Sequence, residues 1–216
     1  MILVGYGIEL IRLRQDDLEL VRQMRNSPAI AQRMEFRETI TPEMQQQWFR
    51  SVDVPESHYY VIVSEGKKIG LINGAKIDWE KKETRSGGIF IWDEESLGTN
   101  APLAASLLLT DTSLLLGLKR TYIKVLRDNP AAISYNRQLG YELLPGQEDA
   151  YNQEYVLTEE NYRAKTATVR AYFHRRFGET ITMIVDDPQH PVTQFLLDKI
   201  NAVPAAQKQQ LKIIYR

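Results

Sequence analysis

Apolar and polar residues alternate from Glu9 to Arg14, with Ile11 and Leu13 on one side and Arg12 and Arg14 on the other. A period of two predicts a strand buried on one face. The period then lengthens: Leu18, Val21 and Met24 recur at helical spacing behind Asp16 and Asp17, either of which can cap, until Asn26-Ser-Pro28 breaks the helix before a short segment with Ile30 and Met34. Thr41-Pro-Glu43 predicts the next helix, with Thr41 as cap, Pro42 in the first turn and Met44, Trp48 and Val52 as its buried stripe. Strands are expected over Tyr59–Ser64, Lys68–Ile77 and Gly88–Trp92. The first two form a hairpin around Glu65-Gly66-Lys67, and a polar connection over 79–85 leads to the third, which completes an antiparallel meander.

From Ala101 to Leu116 the chain has almost no polar face, broken by Ser106, Thr110, Asp111, Thr112 and Ser113, so a largely buried helix ending at Gly117 is predicted. A strand over Thr121–Leu126 leads into a helix that Asp128 or Asn129 can cap, with Pro130 in its first turn and Gly140 after its last. Ala132, Ile133, Leu139 and Tyr141 are expected to pack, leaving Tyr135 and Asn136 facing elsewhere. A strand pair near 141–144 and 154–157 follows. Beyond it come a long helix to Phe177, a strand at Thr180–Val185, a helix from Pro191 to about Ile200 and a strand at Leu211–Tyr215. The fold class is α+β (mixed α/β), a mostly antiparallel central sheet with helices on both faces. Residues 1–158 are read as one domain, and 159–216 as an α/β extension that packs on it or serves self-association, a possible homodimer.

A chain of 216 residues, 43% hydrophobic and 25% charged, can build one well-packed domain plus an appendage. A formal net charge of -1 lacks the basic field that a general nucleic-acid binder needs, so a small-molecule partner is expected. There is no cysteine, and His58, His174 and His190 are scattered, so neither thiol chemistry nor a metal site is expected. The amino end, Met1-Ile-Leu-Val-Gly-Tyr-Gly, has no basic stretch before an apolar core, and no run of about 18 apolar residues occurs anywhere. No membrane span is expected, and the cytoplasm is the expected location. In the last 58 residues Arg170, Arg175 and Arg176 read as a solvated helix face.

The stretch Asn129-Pro-Ala-Ala-Ile-Ser-Tyr135-Asn-Arg-Gln-Leu-Gly140-Tyr141 behind the apolar strand resembles the acetyl-CoA segment of the GNAT superfamily of N-acetyltransferases. The order of elements over 8–158 is similar to that fold as well. The resemblance implies a sheet splayed between its fourth and fifth strands, those at 88–92 and 121–126, with acetyl-CoA as acyl donor and no metal. It places Asn129 on the pantetheine arm or the attacking amine, Ala132 where coenzyme A lies close, and Tyr135 as the acid that protonates the departing thiolate. Ile89 and Ile91 would offer backbone groups to the donor. Glu95-Ser-Leu-Gly98-Thr99-Asn100-Ala101-Pro102 partly matches the family's pyrophosphate turn, keeping the central glycine but with Glu95 and Asn100 at its outer positions. Asn100, tolerant of positive φ, is expected to preserve the turn, and a helix amino end suits the anion.

An ammonium must lose a proton before it can attack a thioester, and Asp93, Glu94 or Glu95 at the strand end can take it, directly or through water; Glu94 is the one selected. Arg25, Asn26, Met34, Ile40-Thr-Pro-Glu43 and Gln47-Trp48-Phe49 resemble the acceptor half of two branches. One acetylates amino groups of nucleotide-linked sugars; the other acetylates protein amino termini. Arg25, Asn26, Met34 and Trp48 are accordingly expected to touch the acceptor. A GNAT-like module that binds coenzyme A without transfer, and an interaction protein whose apolar helix is plain core, stay open on these residues.

Overall fold

The computed structural model describes residues 1–216. In chain order the strands are β1 (Ile2–Gly5), β2 (Ile8–Arg12), β3 (Ser57–Ser64), β4 (Lys67–Asp78), β5 (Glu83–Ile91), β6 (Arg120–Leu126), β7 (Glu142–Leu143), β8 (Asn152–Thr158), β9 (Ile181–Val185) and β10 (Leu211–Tyr215). The helices are α1 (Leu18–Asn26), α2 (Pro28–Ala31), α3 (Pro42–Val52), α4 (Glu94–Leu97), α5 (Ala101–Leu115), α6 (Pro130–Leu139), α7 (Glu159–Phe177) and α8 (Pro191–Ala202). All ten strands join one sheet, ordered β10-β9-β1-β2-β3-β4-β5-β6-β8-β7. Two pairs, β5/β6 and β9/β10, are parallel.

Alternation along β3 divides the core. Tyr60 and Ile62 point into the larger cluster, with Leu107 and Leu108 of α5, Phe173 of α7 and Leu196 of α8, while Val61 and Val63 point into a smaller one with Leu18 and Val21 of α1. Helices therefore cover both faces. The helix 159–177, strand 181–185 and helix 191–202 place Tyr162, Met183, Val185 and Ile200 in the larger cluster. The carboxylate of Asp111 on α5 holds Arg170 of α7 at 3.1 Å and accepts from the Tyr6 hydroxyl.

Several sequence expectations shift. The strand β1 has no turn signal in front of it, and its turn to β2 uses Tyr6 and Gly7 at φ 56° and 81°, where Tyr gives no hint of a left-handed position. β5 begins at Glu83 rather than Gly88, so part of the polar connection is strand. Arg120 at 3.0 Å and Arg85 hold the Glu83 carboxylate, which makes its burial tolerable. In α3, Thr41 caps as expected by accepting from the Met44 amide at 3.3 Å, yet Met44 is exposed and Gln45 is buried instead. The inward face turns by one position because α3 rests on α1 as well as on β3.

His58 at the start of β3 is buried, with Nε2 unpaired, beside Trp79 at a ring distance of 5.8 Å. Burial, aided by the Arg12 charge, pulls its pKa down to about 4. The folded chain thus resists a proton that the unfolded chain accepts near pH 6.5, so this contribution to stability is complete above pH 6.5 and fades as pH falls toward 4. Between pH 6.5 and 5 the loss is about 2 kcal/mol. Urea unfolding of His58→Phe at pH 7 and pH 5 should show a smaller acid loss than the wild type; equal losses would acquit His58.

Candidate active site

Parallel strands β5 and β6 pair at Glu83 with Arg120 and at Thr84 with Thr121, and nowhere beyond. From Ser86 to Ile91, β5 keeps its ladder with β4 but has no hydrogen-bonded strand partner on its other side. The parting coincides with an irregularity in β4. Lys76 has φ 53° and drops out of the ladder between the pairs Ala75 with Ser86 and Ile77 with Thr84. Arg85 opposite drops out with it and the register is the same on either side, so the interruption is one skipped pair and not a bulge. Ile89 and Ile91 face α5 and the larger core, whereas Phe90 and Trp92 face the α1 and α3 side.

Asn129 caps α6 by accepting from the Ala132 amide at 3.1 Å, and Gly140 ends it with φ 101°. A side chain at Gly140 would meet the Asn161 carbonyl oxygen at 2.8 Å, so the glycine also lets α7 approach. Ala132 and Ile133 pack against Ile123, Val125 and Tyr155, as the sequence suggests. Tyr135 does not simply face away. It leans on the larger core, and its hydroxyl lies 2.7 Å from Ser106 Oγ and donates to the Pro102 carbonyl at 2.9 Å, both on α5. Burial pushes the phenol up to about 12, so it keeps its proton across the neutral range. Ser106 was legible as one polar residue on an apolar helix; its partner was not.

At the end of β5, Asp93 caps α4 by accepting from the Ser96 amide and pairs with Lys67. Its pKa is held down by Lys67 first and by Ser96 next. Glu95 reaches the same lysine at 3.5 Å, and Glu94 is exposed without an ion pair. In the following turn Gly98 has φ -87° and Asn100 has φ -82°, so neither needs a left-handed conformation. The expected use of Asn100 for positive φ therefore falls away. A Cβ on Gly98 would touch nothing within 4 Å. The Thr99 hydroxyl takes the Ala101 amide at 3.2 Å, while the amides of Asn100 and Leu103 at the head of α5 have no partner in the chain. Open space over a glycine, next to free amides at the start of a 15-residue helix, fits a phosphate group.

The four expected acceptor residues do different things. Asn26 exchanges two hydrogen bonds with the Ile40 backbone, at 2.8 and 2.9 Å, and Arg22 adds a third at 3.1 Å, so Asn26 pins the 32–41 loop to α1. Trp48 stands edge-on to Tyr59 at 5.1 Å in the smaller core, and Met34 is half-buried in that loop. Arg25 lies with its guanidinium 5.9 Å from the centre of the Phe90 ring.

A family model described as "Acetyltransferase (GNAT) domain" matches residues 8–142. Among solved structures, a nucleotide-linked sugar GNAT, FdhC in its apo form, is 18% identical over 80% of this chain and 98% of its own, with a TM-score of 0.66. RimL, a ribosomal L7/L12 alpha-N-protein acetyltransferase in complex with coenzyme A, is 16% identical over 70% and 94%, with a TM-score of 0.61. Spermidine N-acetyltransferase from Vibrio cholerae, in complex with coenzyme A and spermine, is 18% identical over 72% and 98%, with a TM-score of 0.60. At such identities the likeness is one of fold. No curated protein sequence matches the chain. No helix is long and apolar enough to cross a membrane.

Proposed function

Because the chain belongs to the GNAT acetyltransferase family, whose members are acyl-CoA-dependent N-acetyltransferases, we propose that it moves the acetyl group of acetyl-CoA onto a primary amine by direct attack, with Tyr135 as general acid. The observation that carries the reading is the parting of β5 from β6 after Thr84 and Thr121, with the Tyr135 hydroxyl near the head of α5. A thioester laid along the open side of β5 finds backbone donors for its developing oxyanion, and the protonated phenol meets the thiolate as the C–S bond breaks. Ser106 holds the hydroxyl in place through their hydrogen bond. The free amides of Asn100 and Leu103, with the open face of Gly98, hold the pyrophosphate. Asn129 spends its oxygen on the α6 cap, which leaves its NH2 group for the pantetheine arm, and Ala132 shapes the wall there. Proton removal from the ammonium is assigned to Glu94, the one strand-end carboxylate without a lysine partner.

The acceptor is assigned to the class of nucleotide-linked amino sugars, on the resemblance of the Arg25 to Trp48 segment and the fold shared with FdhC. A protein amino terminus is the second reading, favoured by the fold shared with RimL. Thiol release with a panel of amines tests both, and no release with any of them would end the proposal.

Gly98→Val separates the donor site from the fold. Nothing in the chain lies within 4 Å of a Cβ at this position, so the melting temperature should stay within a few degrees. Acetyl-CoA affinity by calorimetry should fall about tenfold or more, because the side chain stands where the pyrophosphate must approach. Wild-type affinity would remove the phosphate assignment.

A further inference from the structure

Many cations around the splayed strand have an anionic partner. Arg85 and Arg120 share Glu83, Arg12 holds Asp53, Lys68 holds Asp17 at 2.7 Å and Arg22 holds Glu19 at 2.7 Å. Of those without one, Lys76, Lys82 and Lys124 are exposed to solvent, whereas Arg25 is not. It sits on the last turn of α1, half-buried, with no carboxylate within 4.0 Å and no hydrogen bond from any of its N–H groups. Its contact is the Phe90 ring at 5.9 Å, on the α1 and α3 side of β5, opposite the face that packs on α5. A ring face attracts the charge but satisfies none of the five donors. Burial lowers the Arg25 pKa, with no opposing charge to offset it. Of the acids on α1 and just before it, Glu19 is taken by Arg22 and Gln23 and Asp17 by Lys68, while Asp16 is exposed and makes no ion pair with Arg25.

We infer that Arg25 binds an oxyanion carried by the acceptor, so that the natural acceptor is a small amine bearing a phosphate or a carboxylate and not a polyamine. A guanidinium fork matches either group with two parallel hydrogen bonds, and Phe90 keeps its plane oriented. A cationic chain threaded past the same point would meet an uncompensated positive charge. The inference rests on the acyl-transfer reading for the word acceptor, while the anion site itself does not depend on turnover.

The test uses the full chain saturated with coenzyme A, so that added anions cannot occupy the donor site. Uridine diphosphate and glutarate are titrated by calorimetry into the wild type, Arg25→Lys and Arg25→Met, and thiol release is measured with a uridine-diphosphate-linked amino sugar, an acidic dipeptide and spermidine. One anion is expected to bind, and which one it is names the phosphate or the carboxylate. Arg25→Met should weaken it about ten- to hundredfold, Arg25→Lys by less, with coenzyme A affinity unchanged. Arg25→Lys keeps the cation and guards against a merely unfolded variant. Equal affinity in all three proteins, no binding of either anion to the wild type, or faster turnover of spermidine than of both anionic amines overturns the inference. Arg25-dependent anion binding without acetylation of any amine supports the anion site and removes the acyl-transfer reading.

Discussion

A chain ending at residue 158 is expected to lose its cooperative fold. Removal of α7, β9, α8 and β10 strips Tyr162, Phe173, Ile181, Met183, Val185, Val192, Leu196 and Ile200 from the larger core. Each buried side chain of this kind contributes about 1.5–3 kcal/mol, against a typical net stability of about 5–15 kcal/mol. Leu3, Leu107 and Leu108, which have no exposed surface in the whole chain, would lose part of their cover. β1 would also become an unprotected edge strand, since β9 lies along it from Ile2 to Val4, and the Met1 ammonium would lose Asp186. Gel filtration and thermal circular dichroism of residues 1–158 should show aggregation or no cooperative melt. A soluble product with a sharp transition would instead make residues 1–158 an autonomous domain and 159–216 a true appendage.

Tyr135→Phe is expected to lower kcat about a hundredfold, the lower end of what a positioned acid supplies, because a thiolate with a reference pKa near 8.5 is already a fair leaving group. The KM for acetyl-CoA should change by less than about twofold, since one oxygen is lost from the acid and none from the donor's binding groups. Its hydroxyl bonds to Pro102 and Ser106 contribute about 1 kcal/mol each to stability, so the variant should melt only slightly lower. The phenol of the wild type is pushed up to about 12, so its ionisation should leave no falling limb in kcat below pH 10. Single-turnover thiol release across pH 6–10 measures both points. Unchanged turnover in Tyr135→Phe would dismiss the residue as the acid.

The limits of α6 were legible because each rests on local chemistry: Asn129 accepts from an amide three residues on, Pro130 needs no partner and Gly140 takes φ 101°. The same holds for the Thr41 cap and for the apolar helix ending at Gly117, which has φ 91°. Strand β1 was not legible, since nothing local marks it and its place between β2 and β9 depends on a segment about 180 residues away. Nor was the start of β5, because Glu83 reads as a turn acid until Arg120 arrives from another strand. Met44 exchanged places with Gln45 because the burial of a short helix depends on its tilt against two neighbours.

The candidate site divides along the same line. The order of residues by itself determined which types stand at the ends of β5 and β6 and in the helices after them, because caps, prolines and glycines act on neighbours in the chain. Tertiary structure decided which of those groups are free. Asn26 is consumed in pinning Ile40, Asp93 is held by Lys67, Tyr135 is turned onto Ser106 and Pro102, and Arg25 is left with an aromatic ring for company. It also decided that β5 and β6 stop pairing after Thr84 and Thr121. A cleft is the absence of pairing between distant segments, and nothing local to either segment encodes it.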